Sequence, residues 1–304
     1  MKFNKYIFLV ALLFVTTIIL GQQDPNYTFY RYNMNLINPA YAGSQDTVEG
    51  TTTSGGSEVG MNIKSQWAGI EGAPETQSFF FSTGLSNNVG LGVSIINDKT
   101  FIENQTFIGV DFSYRLQVAQ NTNLFLGIKA GANSYSVNTS GLTTYGIGAD
   151  PSLTGLEGTF SPNVGAGAYL KSDKYYVSFS VPKILSQNRL SQENGIAQLG
   201  NNKVHMYLSA GYDISLNSTL VFKPSIMTRY IEATPLSLDF TGMLSFNDRF
   251  DLGAGYRYDE GISAIAIMKV SNWLEMGYAY EFTSQSPITS GNMGTHELLM
   301  KLTL

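Results

Sequence analysis

The chain has 304 residues, with 18 basic and 23 acidic side chains and a formal net charge of −5 at pH 7. Charged residues make up only 13% of the chain, whereas Gly, Tyr and Phe number 31, 18 and 18. This balance excludes the basic footprint of a nucleic-acid-binding protein, and the absence of Cys excludes disulfides and a lipid-modified Cys. Few charges and many aromatic residues predict a surface that contacts something other than water.

Residues 1–21 have the layout of a secretory signal peptide. Lys2 and Lys5 give a positive start, an apolar stretch runs from Tyr6 to Leu20, and Gly21 offers a small residue for cleavage. A single transmembrane anchor is the alternative, but the apolar run is shorter than the ~20 residues that a spanning helix needs. We therefore predict a cleaved leader and a mature chain that begins near Gln22.

Residues 22–56 combine an aromatic segment with a flexible linker. One side of a helical turn pattern carries Tyr27, Tyr30, Met34 and Ile37. Asn38-Pro39 would end this turn, and the stretch GSQDTVEGTTTSGGSE has the composition of a flexible link. We predict that this segment partly plugs the structure formed by the rest of the chain; a disordered periplasmic lead-in is the alternative.

From residue 57 onward, apolar and polar side chains alternate with a period of two, which indicates β-strands. In TFIGVDFSYRLQV, for example, Val110 and Phe112 lie on one face, and Asp111 and Ser113 lie on the other. Most segments have about the 9–11 residues of a tilted membrane strand. We count fourteen such segments, beginning near Ser57, Glu75, Asn88, Glu103, Asn121, Pro162, Tyr175, Lys203, Ser218, Pro235, Arg249, Gly261, Trp273 and Gly294.

Two features favour a membrane barrel over a soluble β-sandwich. The apolar face is rich in Tyr and Phe while the polar face carries Gly, Ser and charges, which is the inside-out arrangement of an outer-membrane barrel. Short turns such as LSNN, AQNT and KSDK also alternate with connections of variable length, including the long loops 137–161 and 182–202. We therefore predict an all-β fold, a fourteen-stranded antiparallel transmembrane β-barrel over residues 57–304 with a short N-terminal plug-like segment.

The predicted lumen face collects charges of both signs, because a charge that faced lipid would be destabilising. Its members are Asp111, Arg115, Lys129, Asp213, Lys223, Arg229, Asp239, Arg257, Glu275, Glu281, Glu297 and Lys301. We favour an interpretation as cross-strand ion pairs; a surface that binds a plug or a passing chain is the alternative. Lumenal Gly pairs such as Gly165 and Gly167 would leave space for neighbouring large side chains.

The sequence carries no pattern typical of an enzyme or of a cofactor site. The chain has only two His, and His205 falls on the lumen register of its strand while His296 falls on the lipid-facing register. We find no phosphate-binding loop and no spacing of metal ligands. We predict no cofactor, no metal and no catalysis, and we expect Pro224 to cause a bulge or bend, because it removes a ladder donor.

Several blocks of the sequence together resemble the PorP/SprF family of outer-membrane proteins, which belong to the type IX secretion and gliding-motility apparatus of Bacteroidetes. The blocks are QQDPNYTFYRYNMNLINPAYAG, NIKSQWAGIEGAPETQSF, GLGVSIINDK, SPNVGAGAYLKSDKYYVSFSVPKIL, FDLGAGYRYDEG and LEMGYAYEFTSQSP…GTHELLMKL. Glu281 stands where the family more often has Asp. The residues expected at lumen or plug contacts are Tyr27, Tyr30, Asn38, Pro39, Tyr41, Gln66, Trp67, Asp111, Arg115, Arg257, Glu275, Glu281 and Glu297.

The resemblance implies an outer-membrane scaffold or anchor. Its expected partners are a secreted surface protein with an adhesin-like C-terminal domain, periplasmic components including a peptidoglycan-binding lipoprotein, and outer-membrane lipid. We expect the long loops to contact cargo, and the short turns and residues 22–56 to make the periplasmic contacts. PorP-like support of secretion and SprF-like attachment of an adhesin both remain open, and a porin or hydrophobic-solute transporter is the alternative class. An outer-membrane lipase or acyltransferase is a third possibility, with His205 as its best candidate residue.

Overall fold

The computed structural model describes residues 24–45, 56–85, 88–138, 159–185, 188–193, 196–201, 203–232, 234–283 and 293–304. Two 3₁₀ helices, Met34–Leu36 and Pro39–Tyr41, precede the strands. No helix in this described part of the chain is long and apolar enough to cross a membrane. The strands are β1 (Ser57–Ser65), β2 (Glu75–Gly84), β3 (Val89–Thr100), β4 (Glu103–Ala119), β5 (Thr122–Val137), β6 (Thr159–Ser172), β7 (Tyr175–Val181), β8 (Asn188–Glu193), β9 (Ile196–Asn201), β10 (His205–Tyr212), β11 (Ile214–Ser215), β12 (Leu220–Ile231), β13 (Ser237–Phe246), β14 (Phe250–Arg257), β15 (Gly261–Ser271), β16 (Leu274–Thr283) and β17 (Thr295–Thr303).

Fourteen of these strands form one closed antiparallel barrel. Each of the fourteen strands pairs with the next one of the ring along the chain. Where small elements intervene in the chain, β7 pairs with β10, and β10 pairs with β12. The first and last strands, β1 and β17, pair with each other and close the ring. Closure satisfies the backbone donors and acceptors that an open sheet would expose to lipid. The predicted fold class is therefore confirmed, and the predicted strand starts agree with the observed ones to within three residues, the largest difference being Pro162 against Thr159.

Two small elements lie outside this ring of fourteen strands and were absent from the prediction. Strands β8 and β9 form a separate two-stranded hairpin inside the 182–202 loop. Strand β11 is a two-residue extension that pairs with β12. Both are shorter than the alternating runs from which membrane strands are recognised, so the period-two pattern does not detect them.

The outer face of the barrel is apolar and the inner face is polar, as the alternation predicts. Val110, Phe112 and Phe240 are 47%, 45% and 45% exposed, whereas the intervening Asp111 and Asp239 are 1% and 7% exposed. An apolar exterior with an interior of charges and small residues is the arrangement of a transmembrane barrel. Side-chain identity at alternate positions therefore decides which way each strand faces.

Pro224 lies at an interruption of the strand ladder. Its strand, β12, keeps continuous register with β13, where Pro224 lies opposite Gly242. On the other side, the pairing of β10 with β12 ends at Gly211, and the pairing of β11 begins at Ile214. The register is the same on both sides of this gap, so the structure shows a break in the pairing and no bulge, in keeping with the missing N–H of proline. The gap contains Asp213, which pairs with Arg31 of the N-terminal segment.

Candidate functional site in the barrel lumen

Residues 24–45, here called the plug, lie inside the barrel. Tyr27, Phe29, Met34 and Ala40 are among its fully buried side chains. The expected helical turn is present only as two separate 3₁₀ helices. Asn38 separates them and does more than end the first: its side chain accepts a hydrogen bond from the Ala40 N–H and so caps the second.

Three tyrosines of the plug reach polar groups on different strands. The Tyr27 hydroxyl lies 2.7 Å from Ser78 Oγ, and the Tyr30 hydroxyl lies 2.9 Å from Ser225 Oγ. Tyr32 donates to Asp251 Oδ2 at 3.1 Å. Each ring therefore fills lumen volume while its polar tip finds a partner.

Glu297 fixes the start of the plug to the wall. Its carboxylate accepts hydrogen bonds from the backbone N–H groups of Thr28 at 2.8 Å and Phe29 at 3.4 Å. It also accepts from Asn62 Nδ2 at 2.8 Å and lies 3.7 Å from Lys64 Nζ. The Lys64 Nζ in turn donates to the Asn26 carbonyl oxygen at 2.6 Å. A fully buried charge needs such complete pairing.

Wall glycines give the plug backbone its close approach. A Cβ added at Gly127 would lie 2.2 Å from Ala40 N, and one at Gly167 would lie 2.0 Å from Asn38 Oδ1. At Gly90, the added atom would lie 2.1 Å from a plug carbonyl oxygen. These distances are impossible for real Cβ atoms. The small residues on the lumen face therefore make room for a specific segment of the chain.

Cross-strand ion pairs line the lumen, in agreement with the interpretation favoured from the sequence. Arg257 donates to Asp239 at 2.5 Å and to Glu281 at 3.1 Å. Elsewhere, Lys129 pairs with Asp111 at 3.4 Å, Lys223 pairs with Asp251 at 3.0 Å, and Lys301 pairs with Glu275 at 3.4 Å. The alternative, a surface that binds a plug, also has support, because Glu297 and Asp213 contact the plug directly.

Arg31 is the plug cation that pairs with Asp213, and the guanidinium lies over the Tyr176 ring at 5.4 Å from its centroid. This ion pair lies in the gap of the strand ladder opposite Pro224. The local irregularity of β12 therefore coincides with a plug contact.

The other expected contact residues divide into two groups. Pro39 lies against Gly127, and Tyr41 packs edge-on to Tyr169 with ring centroids 5.2 Å apart. Gln66 and Trp67 lie in the β1–β2 loop, where the Gln66 N–H donates to the Pro74 carbonyl oxygen. Arg115 is half-buried near a short turn, and its backbone N–H donates to the Asn88 carbonyl oxygen. None of the plug contacts described above involves the last three residues.

Sequence reasoning missed several plug contacts near the beginning of β1. Asn35 donates to Glu58 Oε1 at 2.5 Å, and Gln45 Nε2 donates to the same oxygen at 3.1 Å. The Lys171 ammonium donates to the Ser44 carbonyl oxygen at 2.9 Å. Glu58 and Lys64 lie at alternate positions of β1, so the period-two pattern could have placed both side chains on the lumen face.

The catalytic alternative finds no support in the described residues. His205 Nδ1 lies 3.4 Å from the Tyr207 hydroxyl and 3.8 Å from Asp24 Oδ2, within the wall that surrounds the plug. His296 lies on the outer face, where the Tyr278 hydroxyl is 2.7 Å from its Nδ1. Among the residues described, no group of three or more acidic or His side chains is arranged to hold a metal ion.

A closed fourteen-stranded barrel with an apolar exterior and a lumen filled by its own N-terminal segment defines a plugged outer-membrane β-barrel protein. Residues 19–302 match the family described as type IX secretion system membrane protein PorP/SprF. Because this match covers nearly the whole chain, the protein belongs to that family. It is an outer-membrane component of the type IX secretion system, and the family and the barrel fold suggest a structural membrane protein.

Several solved outer-membrane proteins are similar to this chain at low sequence identity. No curated protein matches the chain. The outer membrane protein Omp33 of Acinetobacter baumannii is 10% identical, with a TM-score of 0.44 over 82% of this chain and 98% of that one. The toluene transporter TodX of P. putida is 8% identical, with a TM-score of 0.49 over 89% and 92%. A Pseudomonas aeruginosa FadL homologue is 12% identical, with a TM-score of 0.48 over 93% and 94%.

Proposed function

We propose that this protein is a plugged scaffold that supports secretion and cell-surface attachment of a cargo protein with an adhesin-like C-terminal domain. The observation that carries the proposal is the filled lumen. Plug side chains and backbone groups form hydrogen bonds with β1, β2, β7, β12, β14 and β17. A barrel whose interior is occupied by its own chain has its loops, turns and outer face available for partners.

The proposed scaffold connects two compartments. The long loops 137–161 and 182–202 would contact cargo outside the cell, and the short turns would contact periplasmic components of the machinery, including a peptidoglycan-binding lipoprotein. Most of the 137–161 loop lies outside the described residues, whereas the 182–202 loop is described at its base and in strands β8 and β9. The support for this division is that the connections at one end of the barrel are all short, whereas those at the other end vary in length and include the two long loops.

A deletion and complementation experiment tests the proposal. In cells that lack this gene, a secreted surface protein should be lost from the cell surface, as measured by surface biotinylation, and should accumulate in the medium or the periplasm. The wild-type gene should restore surface attachment. Accumulation in the medium would favour attachment as the role, whereas accumulation in the periplasm would favour secretion. Unchanged surface and secreted protein patterns would contradict the proposal.

A passive porin or hydrophobic-solute transporter predicts a different result in the same strains. Uptake of a small solute would change on deletion while the surface proteins would not. The filled lumen disfavours a wide aqueous route, since the plug backbone touches the wall where lumen-face glycines occur. Measuring both surface proteins and solute uptake therefore separates the two functions.

A further inference from the structure

The plug runs through the barrel in a fixed direction. Its first described residues lie near the end that carries the longer connections: Asp24 pairs with Lys183 at 3.0 Å and lies 3.8 Å from His205. Lys183 lies two residues after Val181, the last residue of β7, and His205 is the first residue of β10. These positions flank the long 182–202 loop, so the plug starts among the bases of the longer connections.

The other end of the plug leaves at the opposite side of the barrel. The Ser44 carbonyl oxygen accepts from Lys171, which lies beside the short β6–β7 turn. Gln45 contacts Glu58, near the first residue of β1. Tyr32, between these ends, contacts Asp251 at the beginning of β14 beside the short β13–β14 turn. The segment therefore descends from the long-loop end to the short-turn end before β1 begins.

Short turns of bacterial outer-membrane barrels face the periplasm and longer loops face outward. From this, we infer that the N-terminal end of the plug is presented at the cell surface, where residues 24–26 and the base of the 182–202 loop form one interaction surface for a secreted polypeptide. This differs from the expectation that residues 22–56 as a whole serve periplasmic contacts. The identity of the partner class rests on the proposed function; the direction of the plug does not.

Side-chain accessibility tests the direction directly, because the chain contains no Cys and each introduced thiol is a unique reporter. Pro25→Cys and Asn26→Cys place the reporter at half-buried positions at the start of the plug. Glu71→Cys, exposed in the β1–β2 loop, is the control for the surface end, and Ser218→Cys, exposed in a short turn, is the control for the periplasmic end. Intact cells are treated with a membrane-impermeant maleimide, and heat-modifiable gel mobility verifies that each barrel is folded.

The expected result is that Pro25→Cys, Asn26→Cys and Glu71→Cys react in intact cells, whereas Ser218→Cys reacts only after the outer membrane is permeabilised. Reaction at both plug positions only after permeabilisation, in folded protein, would overturn the inferred direction, and no reaction in either condition would overturn the accessible interaction surface. Agreement of Glu71→Cys with the periplasmic control would overturn the assignment of the barrel ends and the inference with it.

The partner is tested by repeating the labelling after protease removes polypeptides from the cell surface. If a secreted polypeptide covers this surface, Pro25→Cys should react faster after the treatment, and gel mobility should show that the barrel itself is intact. An unchanged rate would overturn the polypeptide partner at this position while leaving the plug direction in place. Loss of cargo attachment in the deletion strain, measured separately, reports on the proposed function alone.

Discussion

Single glycines decide how closely the plug packs against the barrel wall. The substitution Gly127→Ala should destabilise the protein, because the new methyl group would meet the Ala40 nitrogen at 2.2 Å and the backbone of Pro39 at 2.4 Å. Overpacking of this kind costs about 1–3 kcal/mol. The measurement is the free energy of unfolding in urea, followed by intrinsic fluorescence of the protein folded in detergent micelles.

The matched control is Gly242→Ala, on the outer face. There the added methyl group would meet only the Phe222 ring, at 3.4 and 3.7 Å, which is ordinary van der Waals contact. This variant should be as stable as the wild type or slightly more stable, since glycine is conformationally costly within a strand. Equal stability of the two variants would show that the plug does not press against the wall at Gly127.

A buried carboxylate holds the plug by a second mechanism, which can be tested in the same way. Glu297→Gln removes the negative charge that compensates the Lys64 ammonium. Both side chains are buried, each being only 1% exposed. An uncompensated buried charge typically costs about 3–5 kcal/mol, so the variant should unfold at a clearly lower urea concentration. The control is Asp248→Asn, since Asp248 pairs with Lys269 at 2.7 Å but is 76% exposed. That exposed pair should contribute at most about 1 kcal/mol, and a similar loss in both variants would contradict the assigned role of Glu297.

The folded conformation of the plug depends on the turn at Asn38. Its amide Nδ2 donates to Ser178 Oγ at 2.7 Å and to the Ala168 carbonyl oxygen at 3.1 Å, while its Oδ1 caps the second 3₁₀ helix. Asn38→Ala removes these bonds and leaves buried groups unpaired, which costs about 1–3 kcal/mol for each group. We expect the variant to expose the plug to trypsin at Arg31, with cleavage detected by mass spectrometry.

The control for that experiment is Asn272→Ala, in the exposed β15–β16 turn. Trypsin should leave its plug as protected as that of the wild type, because the turn is remote from the lumen. If Arg31 is equally resistant in Asn38→Ala, the plug is held without the Asn38 contacts and the capping argument fails.

The strands were predictable from the sequence, whereas the course of the plug was not. Alternation along a strand is local, so Val110 and Asp111 reveal their faces without knowledge of any partner. The contact of Asp213 with Arg31, or of Lys64 with Glu297, joins residues that only the closed barrel brings together. The aromatic run identified a plug-like segment, but its direction follows from ion pairs such as that of Asp24 with Lys183. Short irregular elements such as β8, β9 and the 3₁₀ helices also lack the repeated pattern that makes membrane strands recognisable.

The complete barrel with its plug should conduct little. In planar bilayers, the purified wild-type protein should show no large, steady ionic current, because the plug occupies the lumen and its contacts extend from Asp24 near one end to Gln45 near the other. A variant that lacks residues 24–45 should conduct steadily, since the charged side chains left on the wall would be hydrated by water that fills the interior. Gel mobility before and after heating verifies that the shortened barrel is folded, and Gly242→Ala, with an intact plug, is the silent control. A large, steady current through the intact protein would contradict the plugged scaffold and favour a passive channel.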